Sequence, residues 1–253
     1  MRLLEMKSPG EFSLVQVATH DTLPYAILSH TWTYGQEVNY EDVITGAGKD
    51  KTGYEKIKFC GEQAAQDGLQ YFWVDTCCID KSNSVELTTA ISSMFRWYQR
   101  ATKCYVYLAD VSSPSYYADI QAKRSTWETA FRDSKWFTRG WTLQELIAPV
   151  TVDFFSKEGK RLGDKKSLEK AIHEVTRIPI QALYGNSFSD FSIAERKEWA
   201  LQRHTTEEED IVYCSLGLCE VSMPPIYGEG EKAARKRLEV TIREFSKDGQ
   251  SLC

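Results

Sequence analysis

Four short apolar runs, each closed by a polar residue, constrain this chain more than any other feature. They are Pro24-Tyr-Ala-Ile-Leu-Ser-His30, Tyr71-Phe-Trp-Val-Asp75, Lys103-Cys-Tyr-Val-Tyr-Leu-Ala-Asp110 and Val150-Thr-Val-Asp-Phe-Phe-Ser156. Apolar runs of this length without strict alternation suit strands covered on both faces. Helical spacing separates them. Tyr54 to Asp67 places Ile57, Cys60, Gly61 and Ala64 on one side and stops at Gly68. Ser84 opens a second helix whose inner face is Leu87, Ile91, Met94, Phe95 and Tyr98. Alternation of this kind predicts right-handed crossovers and an α/β fold with a mainly parallel sheet flanked by helices. Such sheets bind ligands outside the carboxyl ends of their strands, which puts Ser29, His30, Asp75 and Asp110 on one rim. Phe12, Leu14 and Val17 fit a short edge strand.

From Leu162 the alternation stops. Helical patterns run over Ser167 to Thr176, Ile193 to Arg203, Ile211 to Leu218 and Gly228 to Phe245. The expected layout is an α/β core over 1–160 and a helical C-terminal extension over 161–253, with Arg203 and Asp210 pairing to lock the extension in place. Ser112 to Lys135 is longer than most connections. With 253 residues, 42% of them hydrophobic, the chain can bury a sizeable core. A net charge of −5 argues against nucleic acid as the main partner, because phosphate backbones demand a basic face. The seven cysteines form no regular framework, so reduced thiols in the cytosol or nucleus are expected, and the cytoplasm is the expected location. No Cys-x-x-Cys pair occurs and the histidines are scattered, so no metal is expected. No apolar run approaches the ~20 residues of a membrane span, and no signal peptide is visible. The texture of the C-terminus reads as one domain of a longer protein.

The stretch Trp136-Phe-Thr-Arg-Gly-Trp-Thr-Leu-Gln-Glu-Leu-Ile-Ala-Pro149 reads as a helix from about Gly140, ended by Pro149. Trp141 and Glu145 are four apart and share a face, with Leu143, Leu146 and Ile147 turned inward. A carboxylate beside an indole suits a planar cationic ligand; a packing tryptophan with a solvated glutamate is the other reading. Ser29, His30 and Trp32 line a pocket, or His30 is a strand-end histidine satisfied by backbone. Asp75 orients a ligand or caps a turn. Arg139 meets a phosphate or pairs with a nearby loop. Cys77 or Cys78 with His30 has the composition of a thiol nucleophile pair, although adjacent cysteines in an apolar run more often pack. No Gly-x-Gly-x-x-Gly or P-loop pattern occurs.

Three blocks, Tyr25-Ala-Ile-Leu-Ser-His-Thr-Trp32, Tyr71-Phe-Trp-Val-Asp-Thr-Cys-Cys-Ile-Asp80 and Trp136 to Pro149, resemble the signature blocks of the fungal heterokaryon-incompatibility (HET) domain. The region from Arg196 to Gly230 is similar to that family's C-terminal part. The likeness is to incompatibility proteins in which the domain precedes a NACHT nucleotide-binding oligomerisation domain and WD repeats. A more distant resemblance is to the Toll/interleukin-1 receptor (TIR) domain. It is carried by Ser84 to Ser93, by Cys104 to Ala109, and by Trp141-Thr-Leu-Gln-Glu-Leu146, with Thr142 where that family has cysteine. This resemblance implies a TIR-like α/β core, NAD+ as substrate rather than cofactor, Glu145 as the catalytic glutamate, and a homo-oligomer on activation. Ser29, His30, Trp32, Asp75, Arg139 and Trp141 are the expected substrate-binding residues. The implied role is a cell-death effector that cleaves NAD+ to nicotinamide and ADP-ribose; a non-enzymatic oligomerising death-signalling module is the alternative.

Overall fold

The computed structural model describes residues 1–8, 10–17, 23–113, 127–185 and 188–250. Most of the long connection expected between Ser112 and Lys135 lies outside the described residues. Seven strands form one sheet: β1 (Arg2–Ser8), β2 (Glu11–Gln16), β3 (Tyr25–His30), β4 (Tyr71–Trp73), β5 (Lys103–Leu108), β6 (Val152–Ser156) and β7 (Arg161–Asp164). Their order across the sheet is β2-β1-β4-β3-β5-β6-β7. The four apolar runs are the central parallel strands, β4, β3, β5 and β6, as expected. Antiparallel strands close both edges: β1 pairs with β4 and β2, and β7 pairs with β6. All six residues of β3 are buried, because it has a parallel neighbour on each side and helices over its faces.

Helix α1 (Tyr40–Thr45) begins with a capping box between Asn39 and Asp42. Helix α2 (Thr52–Gln66) buries Ile57, Cys60, Gly61 and Ala64, the face its spacing predicts. Gly61 permits close contact, since a Cβ there would sit 3.1 Å from the rings of Phe12 and Phe72. Helix α3 (Ser84–Arg100) is capped by the Asn83 side chain and buries Ala90, Ile91, Met94, Trp97 and Tyr98. Helix α4 (Thr142–Ile147) is only six residues long, yet all six are buried. So short a helix depends on packing rather than propensity. Its C-terminal end is held by Lys165, whose Nζ donates to Leu146 O at 3.0 Å and Pro149 O at 2.6 Å.

The helical extension departs from its sequence pattern in detail. The sheet ends at Asp164, beyond the boundary drawn at residue 160, because β7 still hydrogen-bonds to β6. The helix expected over Ile193 to Arg203 stops at Glu198, and the one expected over Ile211 to Leu218 is regular only over Asp210–Tyr213. A second apolar cluster, with Ile91, Val212, Tyr213, Leu216 and Leu238, welds this region to α3 and to Trp141. Among the described residues no helix is long and apolar enough to cross a membrane.

Candidate functional site

A cavity of about 670 Å³ opens at the carboxyl ends of β3 and β4, within the usual size of small-molecule sites. One wall carries His30, Trp32, Asp75, Arg139, Trp141 and Glu145. The other comes from the helical extension and carries Thr206, Glu207, Asp210 and Tyr227. Ser29 does not line the cavity; it lies behind Glu145. Asp110 is turned away, accepting hydrogen bonds from Ser134 Oγ at 2.7 Å and Lys135 N at 2.8 Å.

Glu145 is 5% exposed, so it is not a solvated helix-face glutamate. Ser29 Oγ donates to its Oε2, and Trp136 Nε1 donates to Ser29 Oγ at 2.8 Å. An indole N–H can only donate, so Ser29 Oγ accepts from Trp136, and toward an ionised Glu145 its own proton is the donor. Behind them Tyr98 donates to Leu28 O at 2.9 Å. Burial, reinforced by the negative charge of Asp75, pushes the Glu145 carboxyl up to about 8; the hydrogen bond from Ser29 and the charge of Arg203 oppose the rise. At neutral pH burial therefore favours the protonated form of Glu145.

The other expected residues are also fixed by neighbours. Trp32 Nε1 donates to Asp75 Oδ2 at 3.0 Å, and Lys81 Nζ stands 3.7 Å over the Trp32 ring. Asp75 thus holds a pocket aromatic, and among the described residues it accepts no capping hydrogen bond. His30 Nε2 lies 3.4 Å from Glu37 Oε2, an ionic contact, and among the described residues no backbone group bonds to its ring. Burial raises the Glu37 carboxyl, but the contact with His30 and the hydrogen bond and charge of Lys56 outweigh this and hold it at about 2. Arg139 Nη2 donates to Thr206 Oγ1 at 3.3 Å and forms no ion pair among the described residues. Cys77 and Cys78 are buried, and burial pushes the Cys77 thiol well above its ordinary value, which removes the thiolate a nucleophile needs.

The sequence carries two further clues to identity, one in the stretch that includes β3 and α4 and one along nearly the whole chain. The profile of the family described as Heterokaryon incompatibility protein (HET) matches residues 25–145. Over 244 residues the chain is 54% identical to the vegetative incompatibility protein HET-E-1 of Podospora anserina. Residues 25–145 form a HET domain. The match covers 96% of this chain and 18% of HET-E-1, so the chain spans under a fifth of that relative's length. No solved structure matches the chain significantly.

The HET profile ends at Glu145, at the floor of the cavity, so it takes in one wall and stops before the other. The HET stretch and the extension are joined by backbone as well as side chains. Gly140 N donates to His204 O at 2.9 Å and His204 N to Thr138 O at 2.7 Å. A Cβ on Gly140 would lie 2.4 Å from Thr205 Cγ2. With its N–H given to His204 O, Gly140 stays outside the helix expected to begin there, and Trp141 becomes the N-cap of α4. Arg203 does not pair with Asp210. It is buried and donates to Arg139 O at 2.9 Å and Thr142 Oγ1 at 2.8 Å, bracing the turn from beneath. Asp210 instead accepts from Trp141 Nε1 and from Tyr227 Oη, each at 2.9 Å. Arg203, Asp210 and Tyr227 had no legible signal as site residues. An indole N–H at Trp141 called for an acceptor, but nothing local said it would come from position 210.

Proposed function

We propose that this HET domain is the cell-death effector of a fungal vegetative-incompatibility protein and acts by cleaving NAD+ to nicotinamide and ADP-ribose. The observation that carries this reading is Glu145, buried and held through Ser29 by Trp136, at the floor of a cavity that also offers aromatic faces and two cations, Lys81 and Arg139. In the reaction the bond between C1′ of the ribose and the ring nitrogen breaks. The electron pair stays on nitrogen, and nicotinamide leaves as a neutral molecule. The ribosyl cation is steadied by the Glu145 carboxylate and captured by water, which releases a proton. A cationic ring beside Glu145 favours its ionised form, so substrate binding itself offsets the burial that raises the Glu145 carboxyl. Trp141 shapes the place of the leaving ring, and Arg139 and Lys81 suit the pyrophosphate.

The resemblance to TIR domains supports a TIR-like core acting as a homo-oligomer. The small share of HET-E-1 that the chain covers supports fusion to further domains, an oligomerising nucleotide-binding domain among them. The free cysteines suit the cytoplasm. The test is nicotinamide release from NAD+ by concentrated protein. Wild type releases nicotinamide; Glu145→Gln, shown folded by circular dichroism, does not, and it loses toxicity when expressed in a fungal host. A folded Glu145→Gln that still kills supports the non-enzymatic oligomerising module instead.

A further inference from the structure

The wall contributed by the extension has its own chemistry. Asp210 opens the short helix Asp210–Tyr213 and lines the cavity. Each of its carboxylate oxygens already holds one ring donor, Oδ2 the Trp141 indole and Oδ1 the Tyr227 hydroxyl. A carboxylate oxygen accepts two hydrogen bonds, so each keeps one acceptor site. Those two locks fix the plane of the group. Glu207 lines the same wall, so this side is rich in acceptors; of the lining cations, Lys81 stands over Trp32 and Arg139 reaches this wall only at Thr206. Because Asp210 is bonded to Trp141, and Trp141 is one helical turn from Glu145, the Asp210 carboxylate belongs to the Glu145 end of the cavity. Burial pushes the Asp210 carboxyl upward, while its bonds to Trp141 and Tyr227 oppose that rise; the group thus sits where water screens it poorly.

We propose that Asp210 is the specificity-determining residue of this site: beside the Trp141 face it accepts the carboxamide N–H of the leaving ring and turns away a ring that carries a carboxylate there. This rests on the NAD+-cleaving reading above. A carboxamide offers two N–H donors to the fixed acceptors. A carboxylate offers none and brings a third negative charge beside Asp210 and Glu207. A site built to accept from a donor rejects analogues that lack it, by on the order of 100-fold or more.

The test compares kcat/KM for NAD+ and for the dinucleotide with nicotinic acid in place of nicotinamide. Wild type is expected to favour NAD+ by on the order of 100-fold. Asp210→Asn keeps an oxygen for Trp141 and offers an amide to the Tyr227 oxygen, so the wall retains its shape. It also presents a donor, and the preference is expected to shrink to about tenfold or less. Tyr227→Phe, which leaves the charge in place, is expected to keep the preference. Equal wild-type rates on both dinucleotides, or an Asp210→Asn in which both rates fall together at an unchanged ratio, overturn the proposal. Binding of free nicotinamide against nicotinate, by titration calorimetry, reads the same preference without turnover. A protein that cleaves neither dinucleotide but binds nicotinamide in an Asp210-dependent way refutes the cleavage and keeps the specificity. One that neither cleaves nor binds refutes both.

Discussion

Replacing Glu145 with glutamine should make the protein more stable, by an amount that depends on pH. The carboxyl is 5% exposed, and burial moves it from 4.5 to about 8. An unfolded chain releases this proton near the ordinary glutamate value, whereas the folded protein holds it until about pH 8. Over that window the folded state binds the extra proton, so raising the pH favours unfolding. The slope is ~1.4 kcal/mol per pH unit for one group. The stabilisation is complete below the unfolded value and lost as pH rises through the folded one, a total on the order of 5 kcal/mol. Glutamine has nearly the shape of the protonated acid, still accepts from Ser29, and does not titrate. Urea midpoints for both proteins at about pH 5, 6, 7, 8 and 9 give the difference, and every other titrating group cancels. The gap should be small at the acidic end, widen up to about pH 8 and then level off. A gap that stays constant across the series refutes the reasoning, because it means Glu145 is already ionised in the folded protein at low pH.

Ser29→Ala removes the hydrogen bond that favours the ionised carboxylate, so the rise of nicotinamide release with pH should move to higher pH than in wild type. Loss of the acceptor for Trp136 Nε1 should also cost about 1–3 kcal/mol by urea titration. Arg203→Met takes away two hydrogen bonds and a positive charge near Glu145. The expected loss is about 1.5–3 kcal/mol, with the same alkaline movement of the pH–rate profile. Gly140→Ala drives a methyl group against Thr205 Cγ2 and should cost about 1–3 kcal/mol. It should also weaken nicotinamide release by parting the two walls; an unchanged midpoint refutes the close contact.

The central sheet was legible because β3, β4, β5 and β6 are covered on both faces and so read as plain apolar runs. The edge strand β1 mixes Glu5 and Lys7 with its apolar residues, since only part of it packs on the core. No such run marks it or β7; of the antiparallel strands only β2 was legible, as the edge strand read from Phe12, Leu14 and Val17. The spacing of Trp141 and Glu145 was readable, but the burial of Glu145 was not. Its partner Ser29 lies 116 residues away, and no local pattern shows which strand end a helix will face. The apolar bulk of Trp136 is visible in sequence, while the destination of its single N–H, Ser29 Oγ, is not. Asp75 and Asp110 looked alike as strand-end carboxylates. One entered the cavity and the other was taken up by Ser134 and Lys135, a choice made by the loops that follow.

The hydrogen bond between Trp141 and Asp210 joins residues 69 apart, and Ser29 and Glu145 are further apart still. Long loops must close before contacts like these are rewarded. During synthesis, the sheet and the three signature blocks emerge from the ribosome well before Asp210 and Tyr227 do. A nascent chain therefore displays Glu145 for some time with only half an enclosure around it. If the cavity destroys a metabolite that every cell needs, its capacity to do harm arrives late in translation, once the extension has been made and docked.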